Sequence, residues 1–277
     1  LQPGLYIVST PIGNLDDISL RSVSILKGVD FIVCENPRHS IKLLNKLGIK
    51  KKLISLHDYN EKSVIKKLEK SQNISSIALI SDAGSPLISD PGYNLVKNYI
   101  EKKIFITGLP GPSSIILGLQ LSGLPVNNFA FYGFVPKNKK GMASLIKNFL
   151  FIGITGIFFV SGKNIVTFLE IVKESCINAD VAVCKELTKI NENVYRGKVD
   201  KIINKLISKE INIKGEFTLL INKKDENKEA HFNSDSMLQI AKLLKKYSLT
   251  ETVQIVHKLS NISKKEVYKM ALKIKNG

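Results

Sequence analysis

What the chain lacks narrows it first. Its three cysteines, Cys34, Cys176 and Cys184, are spaced neither as metal ligands nor as a disulfide framework, which fits a reducing, cytoplasmic setting. No apolar run approaches the ~18 residues of a membrane-spanning helix. The longest, Phe149 to Val160, is broken by Gly153 and Gly156 and reads as a helix end, a turn and a buried strand. Residues 1–20 show no basic segment followed by an apolar one, so no secretory signal is expected there. The phosphate-binding spacings G-x-x-x-x-G-K-[S/T] and G-x-G-x-x-G are missing, as is the G-x-S-x-G nucleophile elbow. His39, His57, His231 and His257 form no ligand cluster, so no metal is expected. Arginine is scarce: Arg21, Arg38 and Arg196 stand against 38 lysines.

What remains is an ordinary globular composition, 44% hydrophobic and 23% charged over 277 residues. At ~150 residues per domain that length suggests two domains. The net charge is +17, from 41 basic and 24 acidic residues. A basic surface favours nucleic acid or another polyanion. Lysine, isoleucine and asparagine are also the residues of AT-rich codons, a second source for part of that charge.

Short apolar runs alternate with helical patterns. Strands are expected at Leu5–Ser9, Phe31–Glu35, Leu53–Leu56, Ile77–Ser81 and Ile104–Thr107. Helices are expected at Ser19–Lys27, Ser40–Leu47, Glu61–Lys70, Tyr93–Lys102 and from Ser113. That alternation predicts an open parallel α/β sheet. After Ser122-Gly123-Leu124-Pro125 the pattern shifts. Five further strands follow, and Asn193–Arg196 has no helix before it, which suggests a mixed sheet. The polar stretch Lys223–Ser234, with His231, reads as a linker. Three short helices end the chain, with a capping box at Ser263-Lys264-Lys265-Glu266. They resemble a helix-turn-helix unit, and a solvated helical appendage fits them equally well.

Three unusual loops fall at expected strand ends, where open α/β sheets bind ligands. They are Ser9–Asn14, Ser81–Gly92 and Gly108–Ser114. Their glycines let backbone approach a ligand and their prolines stiffen the turns. Ser113 and Ser114 add hydroxyl and N–H donors at a helix start. Each loop alone reads as an ordinary turn; three together point to a site for an adenine or amino-acid moiety.

These segments, with Gly133-Phe134-Val135-Pro136, Glu186-Leu187-Thr188-Lys189 and Lys214-Gly215-Glu216-Phe217 following in order, resemble the ribosomal RNA small-subunit methyltransferase I family. That family lies within the tetrapyrrole-methylase superfamily. The first loop, Thr-Pro-Ile-Gly-Asn, differs from the Gly-x-Gly-x-Gly-Asp type of the tetrapyrrole branch. The resemblance implies a two-domain, class III methyltransferase fold: a parallel-sheet domain over 1–120, a mixed-sheet domain over 121–224, and a linker with a helical tail over 225–277. It also implies a homodimer and S-adenosyl-L-methionine as methyl donor. The implied reaction methylates the ribose 2′-OH of a cytidine in the decoding centre of 16S rRNA. A tetrapyrrole substrate, or an inactive RNA-binding descendant, are the alternatives. By motif, the donor site would include Pro11, Asp82, Gly84, Ser85, Leu87, Ile88, Ser113 and Ser114, closed by Phe159 and Leu187.

The chain departs from the family pattern at two segments and at Lys185, which stands where arginine is common. Asn36-Pro37-Arg38 replaces the usual Asp-Thr-Arg, and Val160-Ser161-Gly162-Lys163-Asn164 replaces Glu-Ser-Pro-His-Arg. Both changes remove charged groups from strand-end segments. For the proton on the hydroxyl, Glu35 and Glu186 are the candidate catalytic carboxylates; salt bridges to Arg38 or Lys189 would be their structural alternative. Arg38, His39, Lys185 and Lys189 are candidate RNA contacts. Lys137, Lys139 and Lys140, expected in a flexible loop, suit phosphate, and a merely solvated loop reads the same way.

Overall fold

The computed structural model describes residues 1–69, 75–223, 234–260 and 262–276. Most of the expected linker, His231 included, lies outside them. The chain divides into two compact units, Leu1–Lys224 and Asp225–Gly277.

The first unit opens with β1 (Gly4–Val8), α1 (Leu20–Gly28), β2 (Phe31–Cys34), α2 (Pro37–Lys46) and β3 (Lys52–Ser55). Then come α3 (Glu61–Glu69), β4 (Ser76–Ile80), α4 (Tyr93–Glu101), β5 (Ile106–Leu109) and α5 (Ser114–Ser122). The five strands are all parallel, in the order β3-β2-β4-β1-β5. Strand β4 (SIALI) is buried along its whole length, as a central parallel strand must be. Alternate residues serve opposite faces. Tyr6, Val8, Ala78 and Ile80 pack under Leu26 of α1 and Leu44 of α2. Leu5, Ile77 and Leu79 pack under Val64 of α3 and Leu95 of α4.

The second half adds β6 (Phe129–Phe134), α6 (Lys139–Ile152), β7 (Thr155–Ser161), α7 (Gly162–Ser175), β8 (Asp180–Lys185), β9 (Asn193–Lys198), α8 (Val199–Ile207) and β10 (Glu216–Asn222). Its sheet is mixed, ordered β6-β7-β10-β8-β9, with only β6 and β7 parallel. Along β10, Phe217, Leu219 and Ile221 face the core under α6, α7 and α8. Leu220 faces the other way, toward Leu119 of α5. Thus α5, which follows the first sheet in sequence, covers the second. A Cβ on Gly118 would lie 3.3 Å from both Leu220 and Thr218, so glycine permits this close approach. A division at residue 120 falls inside α5.

Two segments begin earlier than expected. Helix α2 starts at Pro37 instead of Ser40, because the Asn36 side chain accepts the Arg38 N–H at 3.1 Å and proline suits the first helical turn. Helix α6 starts at Lys139, with Asn138 Oδ1 accepting the Gly141 N–H at 2.7 Å. Lys139 and Lys140 are therefore helical, which corrects the expectation of a flexible loop there. In the second unit, α9 (Ser234–Leu244), α10 (Leu249–Leu259) and α11 (Lys264–Asn276) enclose Ile240, Val253, Val267 and Ala271. The Ser263–Glu266 capping box forms, and a second joins Ser248 to Glu251. No described helix is long and apolar enough to cross a membrane.

Candidate active site

The chain leaves β1 toward β2 and β3, returns to β4, then crosses β1 to reach β5. A crevice at the carboxyl ends beside such a reversal is where open α/β sheets take ligands. Here the loops after β1 and β4 are joined. Thr10 and Gly84 exchange N–H···O bonds of 2.9 and 3.0 Å, and the Thr10 hydroxyl donates to the Ser81 carbonyl at 3.1 Å. Gly84 has φ +81°, and a Cβ there would lie 3.3 Å from Ile12; glycine supplies both the left-handed turn and the room. The β1 loop also reaches the second sheet, its Asn14 N–H donating to Thr188 Oγ1 at 3.0 Å.

Between the two sheets lies a cavity of about 440 Å³. From the first half it is lined by Ile12, by Asp82–Ser85 and Ile88–Asp90 after β4, and by Ser113–Ile115 at the start of α5. From the second half come Phe134, Phe159–Ser161, Cys184, Leu187 and Gly215–Thr218. Phe134 and Phe159 meet edge to face, 5.2 Å between ring centroids. Ser113 caps α5 by accepting the Ile116 N–H at 3.5 Å, which sets the start of that helix against this space. A cavity of about 550 Å³ at the amino ends of the first sheet, beside Phe31, Lys52 and Ile104, is larger. It lies away from every strand-end loop.

Acidic groups gather at one side of the inter-sheet cavity. Asp82 Oδ1 accepts the Asn36 N–H at 3.3 Å. Burial, reinforced by Asp82 and Asp58, raises the Glu35 carboxyl above its ordinary range. Asp90 is pushed up to about 6, first by burial and then by Glu35 and Asp82, with the Ser81 hydroxyl working the other way. Among the described residues no ion pair reaches Glu35, Asp82 or Asp90. Nor do any three His, Cys, Asp or Glu side chains among them converge to hold a metal. Glu186 is a contrast. It sits at φ +50° in the turn after β8 and accepts the Glu216 N–H at 2.7 Å. That bond holds its carboxyl below the usual range; burial opposes the shift and Lys189, 3.1 Å away, adds to it.

The model of the tetrapyrrole (corrin/porphyrin) methylases matches residues 4–203. The ribosomal RNA small subunit methyltransferase I of Rickettsia prowazekii (strain Madrid E) is 39% identical over 280 residues, covering 99% of this chain and 98% of that protein. The chain belongs to the tetrapyrrole methylase family, in the branch of the ribosomal RNA small subunit methyltransferase I proteins. The protein of that name from Escherichia coli O157:H7 is 36% identical, covering 98% of this chain and 95% of its own. Among solved structures, diphthine synthase superposes with TM-score 0.60 at 16% identity, over 79% of this chain and 90% of that one. That likeness concerns the fold alone.

Seen as a tetrapyrrole methylase, the chain brings most of its expected donor-site residues together. Asp82, Gly84, Ser85, Ile88, Ser113, Ser114, Phe159 and Leu187 all line the cavity. Pro11 and Leu87 do not: Pro11 is buried in the β1 loop, and Leu87 turns into the core of the first sheet. Arg38 and His39 are exposed in the first turn of α2, beyond Glu35, and Lys137, Lys139 and Lys140 are exposed just past Phe134. Lys189 is not available in the same way, since its ammonium bridges Glu186 and Glu216 at 3.1 Å each. Lys185 is half-buried at the end of β8. Asp90 and Phe134 are among the cavity residues that sequence reasoning missed as site residues. Both sat inside quoted motifs, and nothing local marks which motif residue turns inward.

Proposed function

We propose that this chain transfers a methyl group from S-adenosylmethionine to the ribose 2′-OH of a cytidine in the decoding centre of 16S rRNA. The observation that carries the reading is the strand-end cavity between two sheets in a chain of this family. Its 440 Å³ falls in the range of small-ligand sites, ~300–1,000 Å³. The lining fits the donor: apolar walls with a few polar groups suit an adenosyl moiety. Asp82 suits a cationic centre of the donor. When bound, the donor supplies an electrophilic methyl group on a sulfonium.

The chain's own residues then position and dry the site. Phe134, Phe159 and Leu187 exclude water, which favours a step in which opposite charges neutralise. Positioning alone contributes up to ~7–11 kcal/mol in favourable cases. Ser113 and Ser114 at the start of α5 orient polar atoms of the donor. Arg38, His39, Lys137, Lys139 and Lys140 lie on segments at the same end of the strands and suit RNA phosphates, which position without reading sequence. The family resemblance also brings a homodimer and a cytoplasmic location into this reading.

The test is methyl incorporation from labelled S-adenosylmethionine into unmodified 30S subunits, naked 16S rRNA and a tetrapyrrole precursor, with nuclease mapping of any RNA product. Label on a single decoding-centre ribose is expected. Label on the tetrapyrrole alone would sink the RNA reading, and RNA binding without label would indicate an inactive descendant.

A further inference from the structure

We propose that Asp90 takes the ribose hydroxyl proton during methyl transfer, a role that rests on the reading above. The other acids near the cavity are committed elsewhere. Glu216 lies at the rim, paired with Lys189 at 3.1 Å. Glu186 gives one oxygen to the Glu216 N–H and to Lys189 and does not line the cavity. Asp82 accepts the Asn36 N–H. Glu35 also stands outside the lining, beside Asp90 as a like charge. Asp82 and Asp90 are thus the half-buried lining carboxylates with no cation paired to them among the described residues, and of the two it is Asp82 that is tied to a backbone N–H, which leaves Asp90.

The backbone presents it there at a cost. Leu87 and Ser89 hold φ of +75° and +68°, a left-handed conformation that costs non-glycine residues ~1–3 kcal/mol each and persists where surroundings enforce it. The two turns send Leu87 into the core and return Ile88, Ser89 and Asp90 to the cavity wall. In the step itself the hydroxyl O–H bond breaks and its proton passes to an Asp90 oxygen. A ribose O–CH3 bond forms, and the donor's S–CH3 bond breaks with its electron pair left on sulfur. One cation and one carboxylate become a neutral thioether and a neutral acid, so charge balances.

The groups that set the proton affinity of Asp90 come from several elements. They are Glu35 after β2, Asp82 in its own loop and the Ser81 hydroxyl. Asp58 after β3 acts on Glu35, and Glu216 of β10, paired with Lys189 from the turn after β8, lines the same cavity. A base held near 6 is ionised at neutral pH and still basic enough to accept.

The experiment compares the full wild-type chain with Asp90→Asn and Asp90→Glu in single-turnover methylation of 30S subunits from pH 5 to 9. Calorimetry of S-adenosylmethionine binding and infrared titration of carboxyls in the donor-free protein run alongside. Expected for Asp90→Asn are donor affinity within about threefold of wild type and a rate loss of at least ~100-fold. A carboxyl titrating near 6 should vanish from its infrared titration, and the matching limb should vanish from its pH–rate profile. Asp90→Glu should recover part of the rate with a displaced limb. If Asp90→Asn keeps more than about a tenth of the rate, or keeps the limb, the role is overturned. Should Asp90→Asn not fold, the wild-type profile and Asp90→Glu decide: no limb near 6, or an unmoved one, overturns it. Wild type that labels no RNA overturns the function and this role together, whereas an active wild type with an equally active variant overturns Asp90 alone.

Discussion

Asp90 and Glu186 are carboxylates shifted in opposite directions, and their effects on stability run oppositely with pH. For Asp90 the charged form is the costly one in the fold. Its contribution is full below the ordinary carboxylate value and is lost as pH rises through about 6. Asp90→Asn should therefore unfold in urea with ~1 kcal/mol more stability than wild type near pH 8, a figure discounted for half-exposure, with the gap closing near pH 4. A variant no more stable at pH 8 would mean the carboxylate carries no burial penalty. Glu186 is held ionised, so its contribution is present above the ordinary range and fades as pH falls through its lowered value. Glu186→Gln should cost ~1 kcal/mol at neutral pH and little in acid. Gly162 yields a steric prediction. A Cβ there would stand 1.7 Å from the Ile213 carbonyl oxygen, a backbone atom that cannot swing aside. Gly162→Ala should destabilise by ~2–4 kcal/mol, read as a lowered melting temperature.

At the scale of the element, the two segments that depart from the family pattern fall at helix starts. Asn36 caps α2, and Gly162 opens α7 directly after β7. A capping role is served as well by aspartate as by asparagine, so Asn36→Asp should leave stability near wild type. It would also place a further negative charge next to Glu35 and Asp82. The ionisation of Asp90 should then need a higher pH, and the acid limb of the methylation profile should move upward. An unmoved limb would show that Asn36 is electrostatically remote from the reacting group. The expected loop at Asn36-Pro37-Arg38 contained its own correction, since asparagine followed by proline is a helix-start signal. The pull of the preceding strand pattern hid it.

At the scale of the whole molecule, the +17 charge has a direct consequence for RNA. Each phosphate neutralised releases counterions, so affinity for 16S rRNA should fall at least ~10-fold between 50 and 200 mM salt in a filter-binding assay. A flat salt response would mean that the lysines are a compositional trait without a role in binding. Helix α5 joins the two sheets of the first unit: it starts at the cavity with Ser113 and Ser114 and packs its apolar residues on β10 and β8. Binding at its amino end and packing along its length are therefore mechanically one feature.

Sequence by itself determined the alternation of strands and helices, the parallel first sheet, the mixed second one and the three loops at strand ends. Those follow from hydrophobic periodicity and from glycine and proline, which act over a few residues. It also carried the resemblance that placed eight of ten expected donor-site residues around one cavity. Only the tertiary structure decided that α5 belongs to the second sheet, because that depends on which face of β10 is left open once α6, α7 and α8 have covered the other. Only it brought Glu35, Asp82 and Asp90 into one half-buried corner. Proton affinity there is set by burial and by charges distant along the chain, and a lone aspartate between serine and proline carries no local sign of either.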